Sequence, residues 1–318
     1  MNDKMKIQQG DITLQAYTYG DRSKPPLVLV HGYPDNHSVW ETVAEQLAER
    51  YFVISYDVRG TGASQAPKTV KDYRLVHLSA DLRAVVDTLI PGQPFHLAGH
   101  DWGAVQSWES VTEGPLVSRI LSFTSISGPC LDHLGVWMKQ QLQGKTTAAK
   151  AGFLKQGLRS WYIGFFHIPL LPTSLWKAGL DKLWPKYLQQ REGISRPPHN
   201  PTQRRDGING IKLYRANISD RLFKPQRRIA QCPVQVIVPT RDNYVGEVMV
   251  EDVEQWVPAL YRRDIDASHW VTLSHPDTIA EWLHQFIDAV NRGKLDTMVT
   301  AQQLQQVIGH ATPSPTLH

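Results

Sequence analysis

Cysteine is nearly missing from this 318-residue sequence. Cys130 and Cys232 are the only two, too few for a disulfide framework and in keeping with a reducing compartment. Long apolar runs are missing as well. No stretch of about 18 apolar residues could span a bilayer. The opening MNDKMKIQQGDITLQ lacks the apolar centre of a secretory signal, so a soluble, cytoplasmic protein is expected. The sequence has no internal repeat, no phosphate-cradling glycine loop and no metal-ligand spacing, so neither cofactor nor metal is expected. What is present is a globular balance, 41% hydrophobic and 20% charged, in a chain long enough for one large α/β domain.

Charge is unevenly spread. Between Cys130 and Arg228, 18 Lys and Arg face 5 Asp and Glu, a local balance of +13 that leaves −9 for the remainder. One reading is the solvated face of an exposed subdomain. Another is steering of an anionic or amphiphilic substrate, or loose attachment to an acidic surface. The charges are dispersed and accompany no nucleic-acid reading motif, so nucleic acid is not an expected partner.

Short apolar runs alternate with helical patterns. DITLQAYTYG alternates like an antiparallel hairpin strand, whereas PPLVLVHG and YFVISYDVRG are continuously apolar and stopped by glycine, as strands buried on both faces are. LVHLSADLRAVVDTLI has helical spacing and ends at Pro91-Gly92. The strand FHLAGH follows, then a helix from Gly103 to about Glu113 and the strand RILSFTSIS. The pattern breaks near Pro129 and resumes at CPVQVIVPTRD, with a helix expected over Val248–Trp256, a strand near YRRDIDA and a closing amphipathic helix HPDTIAEWLHQFIDAVNRG. The intervening hundred or so residues, rich in Trp, Tyr, Lys and Arg, are too many for a loop. The expected organisation is a doubly wound, mainly parallel α/β core in two parts, residues 1–129 and 229–293, around an inserted helical cap at 130–228. A polar tail follows at 294–318, in which AQQLQQVI could form a short helix.

AGHDWGA, residues 98–104, has the small-x-nucleophile-x-small form of a tight strand-to-helix turn that presents a catalytic side chain. The residue presented is Asp101. Asp242 in VPTRDNYV and His269 in DIDASHWVTLSHP each follow a strand, in the chain order nucleophile, acid, histidine that such a sheet accommodates. Two backbone N–H groups would complete an oxyanion hole. One belongs to Trp102, after the nucleophile. The other belongs to Tyr33 in HGYPDNHSVW, where His31-Gly32 lets the backbone turn closely and Pro34 can fix the loop. Asp57, Arg59 and Ser64 are read as holding the loop after the second parallel strand, and His100 as structural.

HGYPDNHSVW, YDVRGTGAS, GHDWGA, PTRDNYV and SHW together resemble the epoxide hydrolase branch of the α/β-hydrolase fold family over most of residues 10–290. The resemblance implies two cap tyrosines whose hydroxyls hold the epoxide oxygen, and YIGFFHIP and GIKLYRANI place them at Tyr162 and Tyr214. It implies that Asp101 attacks ring carbon to form an ester, which water activated by His269 and oriented by Asp242 then hydrolyses. Serine at that position would leave an ether that water could not cleave. Haloalkane dehalogenases share the Asp nucleophile and GHDWG, but their halide cradle needs a second Trp or Asn near the His-Gly turn, and Asn36 falls a few places late. Fluoroacetate dehalogenases place Arg where Trp102 stands. A non-enzymatic ligand-binding relative would not need the aligned set. Trp137, Phe153, Trp161, Phe165, Phe166, Trp176 and Trp184 imply an apolar pocket for a small-molecule epoxide, apolar or amphiphilic, with water as co-substrate. Whether copies associate into a homo-oligomer is left open.

Overall fold

β1 (Asp3–Gln9) and β2 (Ile12–Tyr19) form an antiparallel hairpin. The turn between them passes through Gly10 at φ +57°, a conformation costly for any residue with a Cβ. This is the computed structural model of the chain, and it describes residues 3–143, 157, 160–250 and 252–294. The remaining strands are β3 (Pro26–Val30), β4 (Phe52–Tyr56), β5 (Phe95–His100), β6 (Ile120–Ile126), β7 (Val234–Pro239) and β8 (Leu260–Ile265). They lie in the order β1-β2-β4-β3-β5-β6-β7-β8. β2 meets β4 antiparallel, and every pairing from β4 to β8 is parallel.

Every residue of β3 and β4 is buried, because helices cover both faces of a parallel sheet. Alternation sends Val28, Val30 and Ile54 to one core with α2 (Leu75–Leu89) and α3 (Trp102–Thr112), and Leu27, Leu29 and Val53 to the other with α1 (Glu41–Leu47). Each such side chain contributes about 1.5–3 kcal/mol relative to exposure. The last helix of the core lies over the same face as α1, burying Ile279, Leu283 and Ile287 one or two turns apart.

Between β6 and β7 come α4 (Leu131–Gln143), α5 (Trp161–His167), α6 (Leu171–Leu175), a π turn (Trp176–Leu180), α7 (Asp181–Arg191) and α8 (Gln203–Phe223). The other four helices and the π turn connect through α8, which packs against α4, α5, α6 and α7. The buried side of α8 carries polar residues among apolar ones, and the polar ones meet loop backbones. Gln203 donates to Pro34 O (2.7 Å), Asn209 to Gly60 O (2.9 Å) and Asn217 to Tyr73 O (2.9 Å). Both ends of the segment converge on one buried ion cluster. Arg221 pairs with Glu109 (2.8 Å) and Asp132 (3.0 Å), and Arg228 reaches Asp132 at 3.2 Å.

The expected helix over Val248–Trp256 is instead two 3-10 turns, Glu247–Met249 and Val253–Gln255. The β-branched Val250 and Val253 are drawn into the core here, and such residues disfavour a continuous helix. The core helices that close the chain are α9 (Val271–Ser274) and α10 (Pro276–Asn291). Cys130 and Cys232 are unpaired and buried, and burial pushes both thiols up to about 12. AQQLQQVI lies outside the described residues. No described helix is long and apolar enough to cross a membrane.

The tightest contact of the core is Gly103 of α3 against β3, where a Cβ would strike the carbonyl oxygens of Val30 and His31. Gly103→Ala is expected to lower stability by about 1–3 kcal/mol through overpacking. Urea unfolding is the measurement, and an unchanged midpoint would show that β3 and α3 separate freely.

Candidate active site

Asp101 sits between β5 and α3 at φ +52°, ψ −125°, a backbone region that non-glycine residues rarely enter. The turn throws its carboxylate out at the carboxyl edge of the sheet. Gly32 lies so close that a Cβ there would meet the Asp101 side chain, so only glycine lets the loop after β3 pass. That passage brings the Tyr33 N–H to Asp101 Oδ1 at 2.7 Å. The Tyr33–Pro34 bond is cis. His31 braces the loop as a neutral ring: burial lowers its pKa to about 4, Nε2 accepts from Val58 N–H (2.9 Å), and Nδ1 donates to Gly32 O (2.9 Å). Trp102 opens α3 directly behind the carboxylate.

Asp242 follows β7 and is buried. Its Oδ1 accepts the N–H groups of Tyr244 (2.7 Å) and Val245 (3.0 Å), leaving Oδ2 for His269 Nδ1 at 2.8 Å. The other ring nitrogen, Nε2, lies 3.6 Å from Asp101 Oδ2. Burial alone would push the His269 pKa down, but the Asp242 charge and hydrogen bond, with the nearby Asp101 carboxylate, hold it well above 6.5. Burial would likewise raise Asp242, and the His269 charge with the two N–H donors keeps it below its ordinary value. His100 donates from Nε2 to His269 O (2.9 Å) and is neutral, its pKa pushed down to about 4 by burial. As read from the sequence, Ser64 hydrogen-bonds Asp57 O (2.6 Å) and Arg59 pairs with Asp81 (2.6 Å), both away from the carboxylate.

Two cavities meet at Asp101. The larger, about 300 Å³, is walled by apolar residues such as Val105, Leu134, Trp137, Ile163 and Met249. The smaller, about 140 Å³, is aromatic, with Phe166, Trp176, Trp184 and Trp270 beside His269. Asp101, Tyr162, Tyr214 and Tyr244 line both. Burial, with the Asp101 charge second, pushes the Tyr162 and Tyr214 hydroxyls far above 10, so both remain protonated donors. The Trp102 ring meets that of Tyr214 edge to face at 4.8 Å. Trp161, expected in the pocket, is exposed instead, because its helix turns Tyr162, Ile163 and Phe166 inward; Phe153 lies outside the described residues.

Three residues of the site escaped the sequence reading. Tyr244, two places after Asp242, packs its ring 5.0 Å from that of His269, and its hydroxyl contacts that of Tyr187. Glu192, buried at the end of α7, accepts from Tyr187 (3.3 Å). Asp35 accepts from the Trp270 indole (2.8 Å), and burial raises it to about 7. Tyr244 lies in the quoted VPTRDNYV and Asp35 in the quoted HGYPDNHSVW, whereas Glu192 carried no signal.

The model of the alpha/beta hydrolase fold family matches residues 25–276. The chain is 36% identical over 290 residues to "Probable oxidoreductase EphD" of Mycobacterium tuberculosis, covering 87% of this chain and 48% of that relative, so it spans about half that relative's length. It is 23% identical over 310 residues to "Epoxide hydrolase 3" of Xenopus tropicalis, covering 89% of this chain and 77% of the relative. Among solved structures it is similar to a variant of an epoxide hydrolase from Bacillus megaterium complexed with its diol product, with TM-score 0.73 and 18% identity over 89% of this chain and all of that one. It is also similar to an epoxide hydrolase from Vigna radiata, with TM-score 0.70 and 19% identity over 90% of this chain and 98% of that one.

His269 is expected to titrate well above 6.5 in the free protein, and Asp101→Asn to move it down by removing one source of the shift. Because its folded pKa is raised, His269 stabilises the fold fully below about pH 6.5 and loses that contribution as pH rises through the folded value. Ring-nitrogen NMR against pH measures both, and a titration that Asp101→Asn leaves in place would sever the proposed coupling.

Proposed function

The chain belongs to the alpha/beta hydrolase fold family, and from its site we propose that it is an epoxide hydrolase that works through an ester on Asp101. The observation that carries this reading is one carboxylate facing two protonated phenols, Tyr162 and Tyr214, across a shared cavity. Asp101 Oδ1 is held by the Tyr33 N–H, so Oδ2 is the oxygen that attacks ring carbon. The ring C–O bond breaks as the ester bond forms, and the nascent alkoxide takes a proton from Tyr162 or Tyr214. Esterification removes the Asp101 charge, one of the groups that hold the His269 pKa up. The imidazolium can then return a proton to the tyrosinate left by the first step, and the neutral imidazole takes one from water. That water attacks the ester carbonyl carbon, and the oxyanion forms on Oδ1 against the Tyr33 and Trp102 N–H groups. Collapse releases a vicinal diol and restores the carboxylate, with one water consumed.

Relatives named epoxide hydrolases support this reading, as does the position of the helices at residues 131–223, which we take as the cap. Halide chemistry is less well served. The Trp102 ring packs edge-on against Tyr214, and the Asn36 side chain caps the turn at His37–Trp40 by accepting from Ser38 N–H at 3.0 Å. An oxidoreductase role is not proposed, since the assembled groups suit displacement and hydrolysis. The apolar larger cavity favours an apolar or amphiphilic epoxide.

His269→Gln is expected to stall after the first step. Intact-protein mass spectrometry with a panel of epoxides and haloalkanes should show a gain of one whole epoxide, mapped to Asp101; an alkyl-only gain with halide release would make the protein a dehalogenase, and no adduct with any compound would sink the covalent mechanism. Tyr162→Phe with Tyr214→Phe is expected to slow ester formation by about 10²–10⁴-fold, read in single-turnover kinetics.

A further inference from the structure

Of eleven exposed large hydrophobic residues among those described, six fall within 23 positions of the helical segment: Trp161, Ile168, Leu170, Leu171, Leu175 and Leu183. Leu170 is 77% exposed, Trp161 67% and Leu183 61%. Scattered apolar residues at a surface are ordinary, but a contiguous group marks an interaction site. These six belong to α5, α6, α7 and the loop between α5 and α6, and all three helices rest on α8. Each of these helices has one side against α8, and the six exposed side chains lie on the surface that this packing leaves uncovered. Leu170 is held at φ +63°, a conformation disfavoured for leucine and retained only where its surroundings impose it.

The same stretch is cationic. Lys177, Lys182, Lys186, Arg191 and Arg196 are all exposed. Its two acids are withdrawn, Asp181 by pairing with Arg204 at 3.1 Å and Glu192 by burial. Exposed apolar side chains interspersed along one helical stretch with exposed lysine and arginine form the pattern of a surface that sinks into an anionic lipid interface. A protein partner of acidic character would match the cations, but would leave the apolar side chains unmatched. α5 also presents Tyr162, Ile163 and Phe166 to the cavities on its inner side, so one helix separates the outer patch from the pocket.

We propose that this outer face, from Trp161 to Leu183 with the surrounding cations, docks the protein reversibly on anionic lipid surfaces. The placement lets an apolar compound dissolved in the lipid reach the cavity over a single helix. The docking itself does not depend on which reaction Asp101 carries out, and its test reads binding alone.

Co-sedimentation of the whole chain is measured with vesicles of pure phosphatidylcholine and with vesicles in which about one lipid in three is phosphatidylglycerol. Binding is expected to the mixed vesicles, to weaken at high salt, and to be scarce on the neutral ones. Leu170→Asn with Leu183→Asn removes two of the exposed apolar residues, and asparagine suits the left-handed backbone at position 170 better than leucine, so the fold is retained. This variant and Lys177→Glu/Lys182→Glu/Lys186→Glu are each expected to reduce the bound fraction about ten-fold, with unchanged circular dichroism. Equal binding to both vesicle types, no binding to either, or binding indifferent to these substitutions would overturn the proposal. So would a dimer in analytical ultracentrifugation that the asparagine variant disperses, since the patch would then be covered by a second copy.

Discussion

The structure depends on one residue being held where its backbone would not go by itself. Asp101 at φ +52°, ψ −125° costs on the order of 1–3 kcal/mol, and that cost is met by packing rather than by any local preference. Gly103 presses α3 onto the end of β3, and Gly32 leaves room for the carboxylate. The Asp101 N–H itself is bonded to Ile126 O of β6 at 2.9 Å. Strands on either side of β5 therefore aim the side chain, and the loops carrying Tyr33 and His269 need only reach it. A rigid turn at the sheet edge turns a flexible carboxylate into a fixed one, with one oxygen held and the other free.

Electrostatics supply the second layer of order. Asp35, Asp101, Asp242 and Glu192 are gathered around a single imidazole. In so dry a volume these carboxylates cannot all be charged at little cost. They are distinguished by their partners. Asp242 has two N–H donors and the imidazole and stays low, whereas Asp35 has one indole donor and rises to about 7. Glu192, buried and near the negative Asp242, is also raised. Charge is thus held on Asp242 beside His269, and Asp35 and Glu192 are left closer to neutral.

The strands were readable because burial on both faces demands unbroken apolar runs, and PLVLV and FVISY comply. The meeting of Asp101, Asp242 and His269 was readable because each follows a strand, so chain order and sheet order constrain where they lie. Val248–Trp256 misled because its apolar spacing reports which residues face the core, and two 3-10 turns meet that demand as well as a helix does. Tyr187, Glu192 and Asp35 could not have been found in this way. Their roles arise where two distant stretches meet, and no periodicity within either stretch records the other. Trp161 was misplaced for a related reason: an aromatic residue in a helical segment signals contact, but not which side of the helix will be occupied.

The buried polar residues of α8 join parts that a modular description would separate. Gln203 bonds the carbonyl of Pro34, one residue from the N–H that grips the Asp101 carboxylate, and Trp176 donates to the Tyr33 hydroxyl at 3.0 Å. Asn217 spans two neighbouring backbone groups, Tyr73 O and Leu75 N, at 2.9 Å each. Shape-swapping of the helical segment between relatives, a natural route to new selectivity, is constrained accordingly. A transplanted segment would have to arrive with the loops at 31–36, 57–65 and 73–75 that bond it, so that replacing pocket side chains one at a time disturbs less than exchanging the whole segment.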